Sequence, residues 1–323
     1  MMILAGDIGG TNTRLCLFDD QLNMQQPEPV QFPSGGGAGL GEIVRQFLSG
    51  RSIRVDRACF AVAGPVSMGR VSLTNLNWTL DEKQLEQELG IPRVALINDL
   101  VGHAEGIGVL TPERVITLHA GQPVADGNRA IIAAGTGLGE AGLVFDRHSG
   151  KYRSFATEGG HCDFAPRNDR EDALLKFLRS RFGNVSFETV LSGPGIRNLY
   201  EFVVSLPEFA SQRLPGDPQP PEITAAALGG ANPAAVEAMN LFVGIYGAEA
   251  GNLALKTLAT GGVWLGGGIA AKIERWLRQP VFLESFRNHS VPKIQQMLAK
   301  IPVHVITFEM NGLFGAANYA RSL

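Results

Sequence analysis

Apolar residues in this chain arrive in short blocks, and most blocks stop at glycine or at a polar turn. The first, "MMILA", runs into "GDIGGTN", and "TRLCLF" follows before an Asp-Asp turn signal. This pattern predicts strand, turn, strand. A second copy, "AIIAAGTGLGEAGLVFD", lies near the middle of the chain. Sliding it onto the first aligns Ile3 with Ile131, Ala5 with Ala133, Gly9 with Gly137 and Leu15 with Leu143. A glycine-containing hairpin at the start of each half is what two similar α/β lobes facing one cleft would show.

Between the hairpins, "RACFAVAGPV" and "RVALIND" read as strands around the helical "LDEKQLEQELG". After the second hairpin, "NDREDALLKFLRSRFG" predicts a helix with Asn168 or Asp169 as cap and Gly183 as stop. Pro207 to Pro221 reads as a surface excursion. A long helix then begins with Asn232 as cap and Pro233 at its first position, and its Gly244, Gly247 and Gly251 suggest close helix packing. "GGVWLGGGIA" is a strand running into the helical "KIERWLRQ", "IPVHVITF" is the last strand and "NGLFGAANYARSL" a closing helix. Alternating strands and helices argue for an α/β fold with parallel sheets that start in hairpins.

Composition narrows the function classes. The 323 residues suffice for two core-bearing lobes, and 45% hydrophobic with 18% charged residues describes an ordinary globular protein. A net charge of −3 gives no electrostatic reason to expect nucleic acid or an anionic membrane, so a small-molecule partner is expected. Cys16, Cys59 and Cys162 are far apart and lack C-x-x-C spacing, so they read as reduced thiols with neither a disulfide framework nor a zinc site. Asp7 comes too early for a signal peptide, and no apolar run is long enough to span a bilayer; a cytoplasmic setting is expected.

Candidate chemistry sits at the turns. "GDIGGTN" is followed by a strand instead of the helix that a dinucleotide fingerprint requires, and it lacks the Lys and Ser/Thr of a Walker A loop. Its glycines can still free backbone N–H groups for phosphate oxygens, with Asp7 able to hold Mg²⁺ directly or through water; a solvated hairpin Asp is the alternative. "GTGLG" offers a second cradle with Thr136, or a simple hairpin turn. The glycines of "GGVWLGGGI" could admit a planar adenine or serve close packing. Asp99 ends "RVALIND" at the carboxyl edge of a sheet, where it could accept a hydroxyl proton, cap a helix, or do both; Asn98 beside it could bond a polyol. Glu158 and His161 in "EGGHCDFAP" form an acceptor pair suited to vicinal hydroxyls. Glu188 could add another acceptor, or stand on a helix surface after a Ser186 cap.

The ordered set "GDIGGTN", "LINDL", "GTGLG", "EGGHCDFAP", "LSGPG" and "GGVWLGGGI" resembles the bacterial glucokinases of the actin, sugar kinase and heat-shock ATPase superfamily, essentially end to end. The resemblance implies two ribonuclease H-like (actin-type ATPase) lobes around a central cleft. A small lobe of residues 1–109 would be joined by the C-terminal segment 301–323, with 110–300 as the large lobe. It also implies transfer of the γ-phosphoryl of ATP to O6 of glucose. Asp99 would be the general base, and Asn98, Asp99, Glu158, His161 and Glu188 would hold the sugar. Gly6, Asp7, Ile8, Gly9, Gly10, Thr11 and Asn12, with Gly135, Thr136 and Gly137, would surround the phosphates. Asp7 would lie near Mg²⁺, and Gly266, Gly267 and Gly268 near adenosine. The related ROK kinases carry a cysteine-rich zinc motif after "EGGH"; here "CDFAP" follows, so no zinc is expected. A homodimer is suggested by the resemblance. Kinases of other hexoses or N-acetylated hexosamines, a non-catalytic sugar-sensing regulator and an ATP-driven conformational machine are the alternatives. Glu140 departs from the small or apolar residue expected after "GTGLG", and it is expected to point outward, away from phosphate.

Overall fold

The computed structural model describes residues 1–35 and 39–323. Its first half contains β1 (Ile3–Ile8), β2 (Asn12–Phe18), β3 (Val30–Pro33), α1 (Leu40–Leu48), β4 (Arg57–Val62), β5 (Arg70–Leu73), β6 (Trp78–Asp81), α2 (Glu82–Leu89), β7 (Val94–Asn98) and α3 (Asp99–Gly106). The main sheet runs β3-β2-β1-β4-β7, with β1–β2–β3 antiparallel and β1–β4–β7 parallel. The hairpin expected at "GDIGGTN" is therefore present.

The second half contains β8 (Val115–His119), β9 (Arg129–Ala134), β10 (Leu138–Asp146), β11 (Lys151–Ala156), α4 (Asp169–Phe182), α5 (Phe187–Val190), α6 (Gly193–Val204), α7 (Pro220–Leu228) and α8 (Pro233–Thr257). Then follow β12 (Gly262–Gly266), α9 (Gly267–Ala270), α10 (Glu274–Leu277), α11 (Pro280–Arg287), α12 (Pro292–Leu298), β13 (Val303–Ile306) and α13 (Asn311–Ser322). Its sheet runs β11-β10-β9-β12-β13-β8. Five of these strands repeat the first sheet in order and direction, with β8 added antiparallel at the edge. One motif has been built twice.

The strand register adjusts one detail of the repeat. β1 ends at Ile8 and β9 at Ala134, so the turn glycine equivalent to Gly9 is Gly135, two residues before the Gly137 that sequence sliding pairs with it.

Central strands bury both faces, which explains their continuous apolar runs. Leu4 and Ile8 of β1 pack with Leu15, Leu17 and Phe60 on one side. Ile3 and Ala5 pack on the other with Cys16, Cys59 and the α13 residues Leu313, Ala316 and Ala317. The segment 301–323 thus divides between the halves: β13 lies in the second sheet, and α13 returns to cover the first.

Local signals placed α2, α4, α8 and α13, while α1, α6, α7, α11 and α12 had no expected counterpart. Asn168 Oδ1 accepts the Glu171 N–H at 3.0 Å, and Asn232 Oδ1 accepts that of Ala235 at 2.8 Å. α8 runs unbroken through its glycines because these meet backbone: a methyl at Gly247 would collide with the Phe282 carbonyl, and one at Gly251 would come within 2.6 Å of the Phe286 carbonyl of α11. The helix expected over "KIERWLRQ" shrinks to one turn, α10, because Pro280 disfavours helical geometry at Gln279 and starts a new helix.

Candidate active site

Parallel strands with matched register end together, and this alignment assembles the site. Ile8 pairs with Val62 and Val62 with Asn98, so the "GDIGGTN" turn, the Ala63-Gly64 loop and Asp99 share one sheet edge. In the second sheet, Gly266 pairs with Ala133 and brings the β12–α9 turn beside the "GTG" turn.

Asn98 ends β7 and caps α3. Its Oδ1 accepts the Leu100 N–H at 2.9 Å and its Nδ2 donates to the Gly64 carbonyl at 3.2 Å. The amide is held by both ends, with a second Nδ2 hydrogen left over. Asp99 Oδ1 also accepts from Leu100 N at 2.9 Å, so capping and a chemical role coexist here. Burial pushes the Asp99 carboxyl up to about 6 against the Leu100 hydrogen bond, and the charges of Asp7 and Glu158 push it the same way. Asp7 belongs to the first half and Glu158 to the second. Three carboxylates from separate chain segments therefore act on one locus.

One turn along α3, His103 is held neutral by burial, with the Asp7 charge opposing, and its carbonyl accepts from Asn311 Nδ2 at 2.8 Å. Gly64 and His103 are absent from the sequence-derived set. The glycine after "AVA" at a strand end was a visible signal for the first; nothing local marked the second.

Glu158 precedes and His161 ends the one-turn 3₁₀ helix Gly159–His161, and their side chains stay exposed, with Nε2 and Oε2 3.9 Å apart. Gly160 lets this turn press on β10, since a methyl there would collide with the Leu138 carbonyl. Glu188 follows the expected Ser186 cap in α5, but its side chain turns inward: Oε2 accepts the Leu138 N–H at 2.8 Å, and Gly137 leaves room for it. Glu188 thereby braces the "GTG" turn and keeps Oε1 available.

The glycines divide by what surrounds them. Gly6 packs against Phe60 and Leu15, and Ile8 lies in the core, so both support the turn from beneath. Gly10, Thr11 and Asn12 are exposed at the tip, and the Gly9 N–H bonds the Asn12 carbonyl at 2.9 Å. Gly135 has open space at its Cβ position, Thr136 is exposed, and the Gly135 carbonyl accepts from Gly193 N at 2.8 Å. This bond brings the N-terminus of α6 to the turn, where its dipole favours anions. "LSGPG" was thus a site segment to which no role had been attached. Gly267 is required by backbone: its φ is +80°, and a methyl would meet the Ala134 carbonyl. Gly266 is packed against Ile131 and Ala133, whereas Gly268 faces open space.

Glu140 overturns the expectation that it points outward. It is 1% exposed, with its carboxylate under Gly159 and burial pushing it up to about 8. The face of β10 that carries Glu140 is covered here by the Gly159–His161 turn, so a charge in the strand was not a sign of exposure.

Among the described residues, no group of three or more His, Cys, Asp or Glu side chains converges to hold a metal ion. Asp7, a single hard oxygen donor near the end of β1, fits Mg²⁺, which commonly binds one or two carboxylates and completes its shell with phosphates and water. The donor set does not suit a thiolate or imidazole cage.

The sequence model of a family described as glucokinase matches residues 4–323. A glucokinase from Nostoc sp. is 40% identical over 344 residues, covering 100% of this chain and 99% of the relative. A glucokinase from Yersinia pestis is 37% identical, covering 98% and 96%. Among solved structures, glucokinase from an Antarctic psychrotroph superposes with a TM-score of 0.87 at 32% identity, covering 100% of this chain and 99% of that one. Glucokinase from Balamuthia mandrillaris in complex with glucose, at 23% identity and a TM-score of 0.77 over 99% and 93%, shares the fold.

Proposed function

The chain belongs to the glucokinase family, and on that premise we propose how its residues transfer the γ-phosphoryl of ATP to O6 of D-glucose. Asp99 accepts the O6 proton as O6 attacks the γ-phosphorus and the bond to the β,γ-bridging oxygen breaks. The new O6–P bond leaves glucose 6-phosphate and ADP, and the proton resides on Asp99 before passing to solvent. Asn98, Glu158, His161 and Glu188 hold the sugar hydroxyls, which fixes O6 in line with the phosphorus. The exposed tips Gly9 to Asn12 and Gly135 to Gly137 surround the phosphates, with Gly6 and Ile8 packing beneath the first; Gly268 gives adenosine its approach beside Gly266 and Gly267. Mg²⁺, when bound, neutralises phosphate charge, and Asp7 is the residue that would hold it.

The observation that carries this reading is the position of Asp99: at a strand end, largely buried, under the charge of Asp7 from one half and Glu158 from the other. An acid in that setting keeps its proton affinity near the working range. The lobes taken as 1–109 with the C-terminal helix, and 110–306, would close on the bound sugar and exclude water as a competing acceptor. The homodimer and the cytoplasmic setting belong to the same proposal; among the described residues, no helix is long and apolar enough to cross a membrane.

Asp99→Asn tests it. We expect kcat to fall by about 10³-fold while glucose still binds, measured by coupled ADP release and by calorimetry. Undiminished phosphorylation by this variant would remove Asp99 from the base role.

A further inference from the structure

Glu140 takes no part in the transfer chemistry, yet it underlies the turn assigned to the sugar. Its side chain occupies the space where a Gly159 methyl would go. Its carbonyl accepts from Thr157 Oγ1 at 3.0 Å, and the same Oγ1 accepts the Gly159 N–H at 3.2 Å. Backbone and side chain of one residue thus support the start of the Glu158–His161 segment.

Glu249 of α8, 0% exposed, lies one turn from Tyr246, whose hydroxyl donates to the carbonyl of Ile132, the register partner of Glu140, at 3.2 Å; from that helix face its charge acts on Glu140. It is well anchored: Oε2 accepts from Asn252 Nδ2 at 2.7 Å and Oε1 from Lys256 Nζ at 2.9 Å. Among the described residues Glu140 has no such donors, and its buried Oε1 is without a hydrogen-bond partner. Two buried carboxylates that meet cannot both ionise cheaply, and a proton on one turns repulsion into a hydrogen bond to the other.

We propose that Glu140 and Glu249 share one proton in a hydrogen-bonded pair that holds the Glu158–His161 turn in place, making Glu140 a positioning residue for glucose binding. The inference rests on the sugar role proposed above for that turn. Burial, followed by the charge of Glu249, raises Glu140 to about 8, with Lys256 opposing. The proton is therefore kept at neutral pH and lost as pH rises past about 8. The titratable groups around the pair are Lys256 and Tyr246 from α8, Glu158, His161 and Cys162 from the turn, and Glu188 from α5 through Leu138. Above pH 8, two buried carboxylates face the Lys256 ammonium that Glu249 already engages. The turn above them is then pushed out of place.

Steady-state kinetics from pH 6.5 to 9.5 read the effect. The glucose KM of the unaltered enzyme should rise about tenfold per pH unit above about 8, while kcat and the KM for MgATP do not follow. Glu140→Gln carries an amide that donates to Glu249 at any pH, so its glucose KM should lose this rise. A flat profile in the unaltered enzyme, or the same rise in Glu140→Gln, overturns the proposal. Hydrogen exchange of the Gly159 to Cys162 amides, corrected for intrinsic rates, gives a second readout on the unaltered enzyme. Protection should fall above pH 8, and constant protection overturns the pair. Should His161→Ala leave the glucose KM unchanged while protection still falls, the sugar role of the turn is lost and the pair stands.

Discussion

As the proposed base, Asp99 combines two demands that work against each other: a base must be ionised to accept a proton, yet it must sit where water is scarce. Burial raises it to about 6. Only the ionised form can take the O6 proton, so log(kcat/KM) should climb with unit slope as pH rises through about 6 and level off above. A pH profile without that limb would contradict the assignment. The same shift bears on stability. The folded-state value lies above the ordinary 3.8, so the folded chain holds an extra proton between about pH 4 and pH 6. Its stabilising contribution is present at low pH and lost as pH rises through about 6. Asp99→Asn removes the buried charge and is expected to raise Tm at pH 7.5 even as kcat falls by about 10³-fold; a lowered Tm by calorimetry would count against this. Gly267 makes a steric demand. With φ at +80° and the Ala134 carbonyl against it, Gly267→Ala should cost about 2 kcal/mol, measured by urea unfolding.

Helix α3 carries the consequence of the site into the fold. Its first residue is Asp99, and its later turns lie against α13, where a methyl at Gly315 would collide with the Gly102 carbonyl and approach Gly106 N at 2.6 Å. The two helices touch backbone to backbone. Gly315→Ala should therefore wedge them apart, costing about 2 kcal/mol and lowering kcat, since the base rides on the displaced helix. Intact kcat in a destabilised Gly315→Ala enzyme would show that α3 holds its N-terminal turn independently. α4 offers a contrast far from the chemistry: Asn168→Ala should cost about 1 kcal/mol through the lost cap and leave kcat as it was.

At the scale of the whole molecule, the repeated sheet order explains why the proposed site draws on both halves. In each sheet two of the parallel strands end in glycine turns, at Gly9 and Gly64 in the first and at Gly135 and Gly267 in the second, and α3 reaches across to the other half, where Leu100 packs on Gly139. Small-angle scattering should show a smaller radius of gyration with glucose bound, and Asp99→Asn should show the same contraction because it keeps the sugar contacts. Binding without contraction would remove closure from the account. Glucose at 100 times its Kd should add about 2.7 kcal/mol of stability.

Local physics made much of this legible in the chain itself. Both hairpins, the caps at Asn168 and Asn232, the packing glycines of α8 and the alternation of strand and helix depend on neighbours in sequence, and they were readable there. The candidate site residues came from an ordered set of motifs, since no glycine cluster alone favoured a ligand reading over a plain turn or close packing by much. Gly6 and Gly267 prove to be demanded by packing and backbone, whereas Gly135 and Gly268 leave open space. Only the tertiary structure decided which face of β10 is covered, and hence that Glu140 lies inside against Glu249. It also turned Glu188 inward to the Leu138 amide and placed β13 and α13 on different sheets. The reason is common to these cases. Periodicity tells a side chain which face of its element it occupies, but whether that face meets water or another helix is set by segments far away in the chain.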